Sequence, residues 1–206
     1  MWAIDLALRA TAHAEFLTRA EESAINGWSE LSAYVKAHGI DLISLARLEI
    51  AFGLTDVAFF GTRFDFVSDD ERDAERAAVI EVVAADAETI IDYAAWSTTD
   101  PMKFATLFGF ADALGEEHVV NPATYFGGKA LRVRRTPLQW LQAQCQGVVV
   151  LNPASSQRWL ADAPGLIAVE DIQHAREIGR WLHPFFDPKR IVFPRPRKEK
   201  RDAKRA

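Results

Sequence analysis

From residue 100 onward, the chain three times places a residue that can cap a helix directly before a proline. The three pairs are Asp100-Pro101, Thr136-Pro137 and Asn152-Pro153. Proline is favoured at the first helical position because the N–H that it lacks has no partner inside the helix there. Each pair therefore predicts the start of a helix, and the three helices are expected over residues 101–108, 137–146 and 153–161.

Short apolar runs alternate with these predicted helices. Residues 148–151 read Val-Val-Val-Leu and residues 166–169 read Leu-Ile-Ala-Val. After the second run, Asp171 can cap a further helix that ends at His183-Pro184. Strands without polar alternation that are joined by helices are typical of βαβ units and of parallel sheets covered on both faces. Residues 130–193 are therefore predicted to alternate between strand and helix.

The segment before this alternation is the basic run at residues 129–135, Lys-Ala-Leu-Arg-Val-Arg-Arg. Its charges alternate with Leu131 and Val133, so we expect a strand at the edge of the sheet or facing solvent. Gly127-Gly128 precedes it. A phosphate loop leads from a strand into a helix and has Ser or Thr after its lysine, which this segment lacks. The two glycines are therefore predicted to form a turn that enters a strand.

The first part of the chain has the spacing of helices. Apolar residues recur every three or four positions over residues 6–24, which predicts one long helix. A second helix is expected to start at Ser29 and to end before Gly39. A third, apolar on nearly all sides, is predicted over residues 42–52. Residues 1–55 are therefore expected to form a helical subdomain.

The spacing changes after this region. Residues 77–85 and 89–96 are two strand-like runs separated by a short acidic turn, which predicts a β-hairpin. Together with the alternating residues 64–66, they indicate a short antiparallel β-meander. The predicted fold class is α+β, with a helical N-terminal region, the meander, and then βαβ-type alternation with a small, partly parallel sheet. Residues 56–193 form the mixed region packed on the helices, and residues 194–206 form a basic tail.

The composition limits the classes of protein that the chain can belong to. Its 206 residues are 49% hydrophobic and 26% charged, which is typical of a folded globular protein. The first residues carry an acid where a secretory signal has a basic region. No apolar run approaches the roughly 18 residues that span a bilayer. We therefore expect a soluble, cytoplasmic protein with no membrane partner.

The single cysteine, Cys145, excludes an internal disulfide and is expected in the core.

The net charge of −5 is distributed unevenly: residues 189–206 carry +7 and the rest of the chain carries −12. The basic residues of this C-terminal segment are Lys189, Arg190, Arg195, Arg197, Lys198, Lys200, Arg201, Lys204 and Arg205. We expect the tail to be disordered, because it has too little apolar surface to fold alone. Such an arm neutralises phosphates without sequence preference. The alternatives are a solubilising tail and an arm that folds back on the acidic body.

Polar side chains follow both apolar runs, and ligands of open α/β sheets bind outside the carboxyl ends of the strands. If the two strands are parallel neighbours, these side chains meet at one edge. The candidate residues are Asn152, Ser155, Glu170, Asp171 and His174. The alternative is that Asn152, Ser155 and Asp171 only cap helices, which is what these residue types do best.

Glu170, His174 and Glu177 also share one helical face, as ligands of a divalent metal would. Glu and His at this spacing form ordinary ion pairs as well, and a metal site normally needs ligands from a second element. We therefore expect no metal and no other cofactor.

Two classes of function remain. The favoured one is a non-catalytic binding or accessory protein whose basic tail engages nucleic acid or an acidic partner, because it requires only the observed charge. The alternative is a small-substrate enzyme whose site lies where the two strands end.

Overall fold

The computed structural model describes residues 2–47, 49–68, 70–86, 89–182 and 188–192. The fold is α+β with a helical N-terminal region, as the sequence predicts. The helices are α1 (Trp2–Ile25), α2 (Trp28–His38), α3 (Leu42–Arg47), α4 (Glu117–Val120), α5 (Pro122–Tyr125), α6 (Pro137–Gln142), α7 (Pro153–Ala161) and α8 (Ile172–Leu182). The strands are β1 (Phe52–Phe60), β2 (Arg63–Phe66), β3 (Glu75–Val83), β4 (Ile90–Ser97), β5 (Phe104–Thr106), β6 (Ala113–Leu114), β7 (Leu131–Arg134), β8 (Val148–Val150), β9 (Ile167–Ala168) and β10 (Ile191–Val192).

The first five strands close into a barrel in the order β1-β2-β5-β4-β3. The predicted hairpin is confirmed, because β3 and β4 pair antiparallel from Ala77 opposite Ser97 onward. β1 is long enough to pair with β3 at one end and with β2 at the other. β2 and β5 close the ring through a parallel contact. The predicted meander is thus part of a closed barrel.

α1 packs on this barrel. The ring of Phe16 is buried against Phe66 and Tyr93. The backbones of α1 and β1 approach closely at Gly53, where an added Cβ would lie 3.0 Å from the Cα of Ala20. The hydroxyl of Ser23 also accepts a hydrogen bond of 3.0 Å from the N–H of Leu54. The long helix is therefore held on the barrel by packing and by a hydrogen bond to the backbone of β1.

The remaining strands form a second sheet in the order β10-β9-β7-β8-β6. β10, β9, β7 and β8 are parallel, and β6 is antiparallel to β8. Alternate residues of β8 point to opposite faces: Val149 packs in one cluster with Trp140 of α6, and Val148 packs in another with Ile178 of α8. The parallel part is therefore covered by helices on both faces, as the apolar runs predict.

Two of the three Pro-based helix starts are confirmed. Thr136 forms a capping box with Gln139 at the start of α6, and Asn152 accepts a 3.2 Å hydrogen bond from the N–H of Ala154 in α7. Asp171 likewise accepts a 2.8 Å hydrogen bond from the N–H of His174 in α8. The helix at Pro101 is wrong. Asp100 caps only a turn there, and the chain then enters β5, where pairing with β4 outweighs the local signal.

The third predicted helix is correct only in its first half. α3 ends at Arg47, and Glu49 adopts a left-handed conformation with φ 54°. β1 begins at Phe52, inside the segment predicted as helical. Apolar residues continue from α3 into β1 without a proline or a glycine until Gly53, so periodicity alone did not separate the two elements.

Two positions are predicted for the strand at residues 129–135, at an edge or facing solvent, and the edge position is wrong. β7 is the middle strand of the second sheet, between β9 and β8. Leu131 and Val133 are buried under the helices, whereas Arg132 is exposed on the other face. The turn that enters this strand is confirmed, because Gly127 and Gly128 both have positive φ.

The barrel and the sheet share one core. Its buried side chains include Tyr34 of α2, Trp96 of β4 and Trp140 of α6. The indole N–H of Trp96 donates a 2.9 Å hydrogen bond to the hydroxyl of Tyr34. Among the described residues, no helix is both long and apolar enough to cross a bilayer.

Candidate functional site at the carboxyl edge of the parallel sheet

The sequence-predicted site residues lie at one edge of the sheet but in separate places along it. β8 and β9 are parallel, so their carboxyl ends point to the same edge. They are not neighbours, however, because β7 lies between them. Asn152 and Ser155 follow β8, and the three candidates Glu170, Asp171 and His174 follow β9. The expected single cluster is therefore divided in two.

Asn152 and Ser155 line an open cavity together with Asp112, Glu116 and Trp159. The hydroxyl of Ser155 donates to the carboxylate of Asp112. Burial, with Asp112 and Glu117 nearby, raises the pKa of Glu116. Within the described part of the chain, no histidine lines this cavity, so none of the described imidazoles is placed to act as a base for Ser155.

Glu170 and Asp171 belong to an ion-pair cluster around Arg135. The guanidinium of Arg135 lies 3.0 Å from Asp171, 3.4 Å from Glu177 and 3.7 Å from Glu170. The N–H of His174 and the charge of Arg135 lower the pKa of Asp171. The face predicted to suit a metal is thus occupied by an arginine. In the described ranges, no group of three or more His, Cys, Asp and Glu residues is arranged to hold a metal ion.

This cluster stands where the connections of the sheet diverge. β7 continues into α6 on one face, whereas the neighbouring β9 continues into α8 on the other. Ligands of such sheets bind outside the carboxyl ends of the strands, near the point where the connections diverge. The fold therefore favours a ligand site beside Arg134 and Arg135, which follow one another at the end of β7.

A cavity of about 260 Å³ opens beside this point, between the sheet and the barrel. We call it the rim cavity, and it is lined by Thr62, Met102, Phe104, Val133, Arg134, Arg135, Val150, Leu151, Pro153, His174, Glu177 and Trp181. Three of these residues come from the barrel side and the others from β7, β8, α7 and α8. The cavity thus exists only because the two parts of the molecule pack together.

Arg134 is the exceptional residue of the rim cavity. Its Nε is buried and has no hydrogen-bond partner among the residues that the structure describes. Burial, helped by the nearby Arg132, lowers the pKa of its guanidinium. An unpaired buried donor costs roughly 1–3 kcal/mol, and more when the group is charged. A ligand that accepts a hydrogen bond at Nε would remove this penalty.

His174 supplies a second polar group to the rim cavity. Its side chain is only 3% exposed, and burial together with Arg135 lowers its pKa to about 4. The imidazole is therefore neutral at pH 7. Its Nδ1 faces the N–H of Glu170 at 3.5 Å. Because Nδ1 accepts there, the proton of the neutral ring is assigned to Nε2, which can donate.

Sequence reasoning missed Arg134 and the barrel residue Thr62. The signal for Arg134 was present, because Thr136-Pro137 places it at the carboxyl end of a strand. The same rule selected the residues after β8 and β9. The contribution of Thr62 depends on how the barrel packs against the sheet, and no local pattern encodes that.

A second polar cluster lies between α1 and the barrel. Nδ1 of His13 lies 2.8 Å from the hydroxyl of Tyr93 and 3.6 Å from the carboxylate of Glu81. Burial and the carboxylates of Glu81 and Asp92 raise the pKa of Tyr93. The buried carboxylate of Asp92 accepts backbone hydrogen bonds from both β4 and the loop after β5. These contacts fasten the loop to the barrel.

Of the basic C-terminal residues, only Lys189 and Arg190 are within the described ranges. Arg190 donates to the carbonyls of Ala163 and Gly165, which ties it to the sheet edge. The other predicted polyanion-binding residues lie outside the described residues: Arg195, Arg197, Lys198, Lys200, Arg201, Lys204 and Arg205.

Comparison of the chain with protein-family models, with curated proteins and with solved structures finds no match.

Proposed function

We propose that this protein is a binding protein for a small organic molecule, which it holds in the rim cavity. The observation that carries the proposal is that Arg134 lines this cavity and has a buried Nε for which the described residues supply no hydrogen-bond partner. Evolved cores rarely leave a buried charged donor unpaired, and such exceptions call for a specific explanation. A bound acceptor supplies that explanation.

The position of the cavity supports the same proposal. It lies at the carboxyl edge of a sheet with helices on both faces, where ligands of such sheets bind. Its volume of about 260 Å³ is slightly below the roughly 300–1,000 Å³ of pockets for drug-sized ligands, which favours a small ligand. Its polar groups are few and its remaining wall is apolar, as in ordinary ligand sites.

Binding is proposed in preference to catalysis because the candidate nucleophiles lie away from this cavity. Ser155 donates to Asp112 in the other cavity. Cys145 is buried, and burial raises the pKa of its thiol to about 12. A thiol of this kind is unreactive at pH 7. The small-substrate enzyme that Asn152, Glu170, Asp171 and His174 suggest is the less supported alternative.

The test is a set of small organic fragments that includes acids, bases and neutral compounds, observed by two-dimensional amide NMR of the full chain. We expect fragments to shift the amide signals of Leu151 and His174. Thr62→Trp places a large side chain at the barrel side of the cavity and should remove these shifts, whereas Thr62→Ser should preserve them. If no fragment shifts the cavity amides, or if Thr62→Trp leaves the shifts unchanged, the proposal is wrong.

For the tail, we propose a separate role as an arm that engages nucleic acid or another polyanion. The support is the +7 charge of residues 189–206 in an otherwise acidic chain. The protein would then act as an accessory factor that binds a polyanion while it holds its small ligand.

Binding of fluorescent single-stranded and duplex DNA by the full chain tests this role. We expect affinity to fall about a thousandfold between about 50 and 200 mM salt, as for six or more neutralised phosphates. Replacing residues 194–206 by a neutral Gly/Ser segment of equal length should abolish binding. Unchanged binding by that variant contradicts the proposal, as does absence of binding by the full chain.

A further inference from the structure

Resting on the proposed function, we infer that the ligand of the rim cavity is a small carboxylic acid with an apolar body, whose carboxylate binds Arg134. The fold and the size of the cavity indicate only that a small molecule enters. Its chemical class follows from the charges, the donors and the apolar surfaces of the wall.

The charges of the wall favour an anion. The charged residues that line the rim cavity are Arg134, Arg135 and Glu177, with a net charge of +1. Arg135 is engaged, because it lies 3.4 Å from Glu177 and 3.0 Å from Asp171. In the part of the chain that the structure describes, the side chain of Arg134 has no hydrogen bond and no ion pair. The positive charge left for a ligand is therefore that of Arg134.

The donors of the wall favour a carboxylate among the anions. A guanidinium presents parallel N–H groups that match the two oxygens of a carboxylate. The neutral imidazole of His174 and the hydroxyl of Thr62 also line the cavity, and both are hydrogen-bond donors. A phosphate dianion would bring a second negative charge close to Glu177, and Glu170 also acts on Arg134 through its charge. A single negative charge therefore suits the site better.

The apolar part of the wall defines the rest of the ligand. Phe104 and Met102 line the cavity from the barrel, and Trp181 lines it from α8. Val133, Val150 and Leu151 form the sheet side. A body of about one aromatic ring or one branched aliphatic chain fits a cavity of about 260 Å³. A fully hydrophilic acid would leave these surfaces wet and would gain little from them.

The experiment compares benzoate with benzamide, which has the same shape without the charge. Affinities are measured from the amide shifts of Leu151 and His174 in the full chain. We expect benzoate to bind at least ten times more tightly than benzamide. Arg134→Gln should weaken benzoate at least tenfold and leave benzamide nearly unchanged, and Arg134→Lys should fall between. Arg132→Gln, two residues earlier on the same strand and exposed, should bind both compounds as the wild type does.

The comparison of the two compounds on the wild-type protein does not depend on whether an Arg134 variant folds. Equal affinities for benzoate and benzamide overturn the carboxylic-acid inference and leave the proposed small-molecule function standing. Inorganic phosphate that binds at these amides more tightly than benzoate also overturns it. Benzoate that fails to bind while uncharged fragments occupy the cavity overturns it as well. Failure of every fragment to shift the cavity amides is the separate result that refutes the proposed function.

Discussion

Two consecutive arginines at the end of β7 have opposite surroundings. Arg135 is shared among three carboxylates, of which Glu170 and Asp171 precede α8 and Glu177 lies within it. Arg134 lines the rim cavity and has a buried Nε without a partner among the described residues. Successive residues of a strand point to opposite sides, so adjacent positions of one charge type acquire different roles. Arg135 joins structural elements, and Arg134 is left for a ligand.

The buried carboxylate of Asp92 yields a prediction about stability. Its Oδ1 accepts from the N–H groups of Tyr93 and Phe108, and its Oδ2 accepts from those of Phe110 and Ala111. In Asp92→Asn, an NH₂ group replaces one oxygen and leaves two backbone donors unpaired. We expect the free energy of unfolding to fall by about 3 kcal/mol.

Urea denaturation measures this change in the free energy of unfolding. Asp65→Asn is the matched control, because Asp65 is exposed on β2 of the same barrel. It should change the free energy by less than about 0.5 kcal/mol. A loss for Asp92→Asn no greater than that of the control would show that the loop after β5 does not depend on this carboxylate.

The imidazole of His174 predicts a pH dependence. Its pKa is about 4 in the folded protein, below the roughly 6.5 of an unperturbed histidine, because burial and Arg135 disfavour the charged form. The unfolded chain therefore binds the proton first, and stability falls as the pH drops from about 6.5 toward 4. We expect this group alone to lower the free energy of unfolding by about 2 kcal/mol between pH 7 and pH 4.5.

Urea denaturation of the wild type and of His174→Asn at both pH values isolates this contribution. The carboxylates titrate in both proteins. The difference between the pH dependence of the wild type and that of the variant therefore measures the contribution of the imidazole to the free energy of unfolding. The variant should lose about 2 kcal/mol less than the wild type on acidification. Parallel pH dependences would mean that His174 is not held neutral by its surroundings.

At the scale of elements, the sequence predicts those parts in which local chemistry and tertiary packing agree. Thr136-Pro137 and Asn152-Pro153 each have a capping residue before a proline and a buried strand before that, and both start helices. Asp100-Pro101 has the same local signal, but residues 104–106 pair with β4 instead. A capping residue supplies hydrogen bonds to one turn only. The residues after that turn can therefore still form a strand, as they do here in the barrel.

For the candidate site as well, the sequence predicts what depends on local order and misses what depends on tertiary packing. Asn152, Asp171 and His174 were correctly expected at the carboxyl edge, because that position depends only on the order of strand and helix. Their separation by β7 depends on strand order, which no residue pattern shows. The alternating charges predict Arg134 on a strand that lies at an edge or faces solvent, whereas β7 is a central strand.

The capping box of α6 predicts a further stability effect. Thr136 is buried, its hydroxyl accepts from the N–H of Gln139, and the Gln139 side chain accepts from the N–H of Thr136 in return. Thr136→Ala removes the acceptor at the start of a helix of six residues. We expect a loss of about 1 kcal/mol in the free energy of unfolding.

Thr136→Ser keeps the hydroxyl and loses only a methyl group, so it should be more stable than Thr136→Ala. Thermal denaturation of the two variants compares them directly. If Thr136→Ser is as unstable as Thr136→Ala, the loss of stability comes from the missing methyl group and not from the missing cap.

At the scale of the whole molecule, the barrel and the parallel sheet share a buried cluster. Trp96 of β4, Trp140 of α6 and Val149 of β8 lie in one buried cluster. The rim cavity lies between the same two parts, with Phe104 on one side and Val150 on the other. Because the two parts share this cluster, we expect them to unfold in one cooperative step, so that damage on one side lowers the stability of both.

Ile178→Ala tests this cooperativity, because Ile178 is fully buried in the cluster between the sheet and α8, away from the barrel. Removal of a buried side chain of this size costs about 3 kcal/mol. In urea titrations followed by amide NMR, the signals of Ala95 in β4 and Val149 in β8 should lose intensity at the same, lowered midpoint. Ile172→Ala, on the same helix at a position that is 53% exposed, should leave both midpoints unchanged. A midpoint that falls for Val149 and stays constant for Ala95 would instead show a barrel that folds independently, whose contact with the sheet contributes only the wall of the cavity.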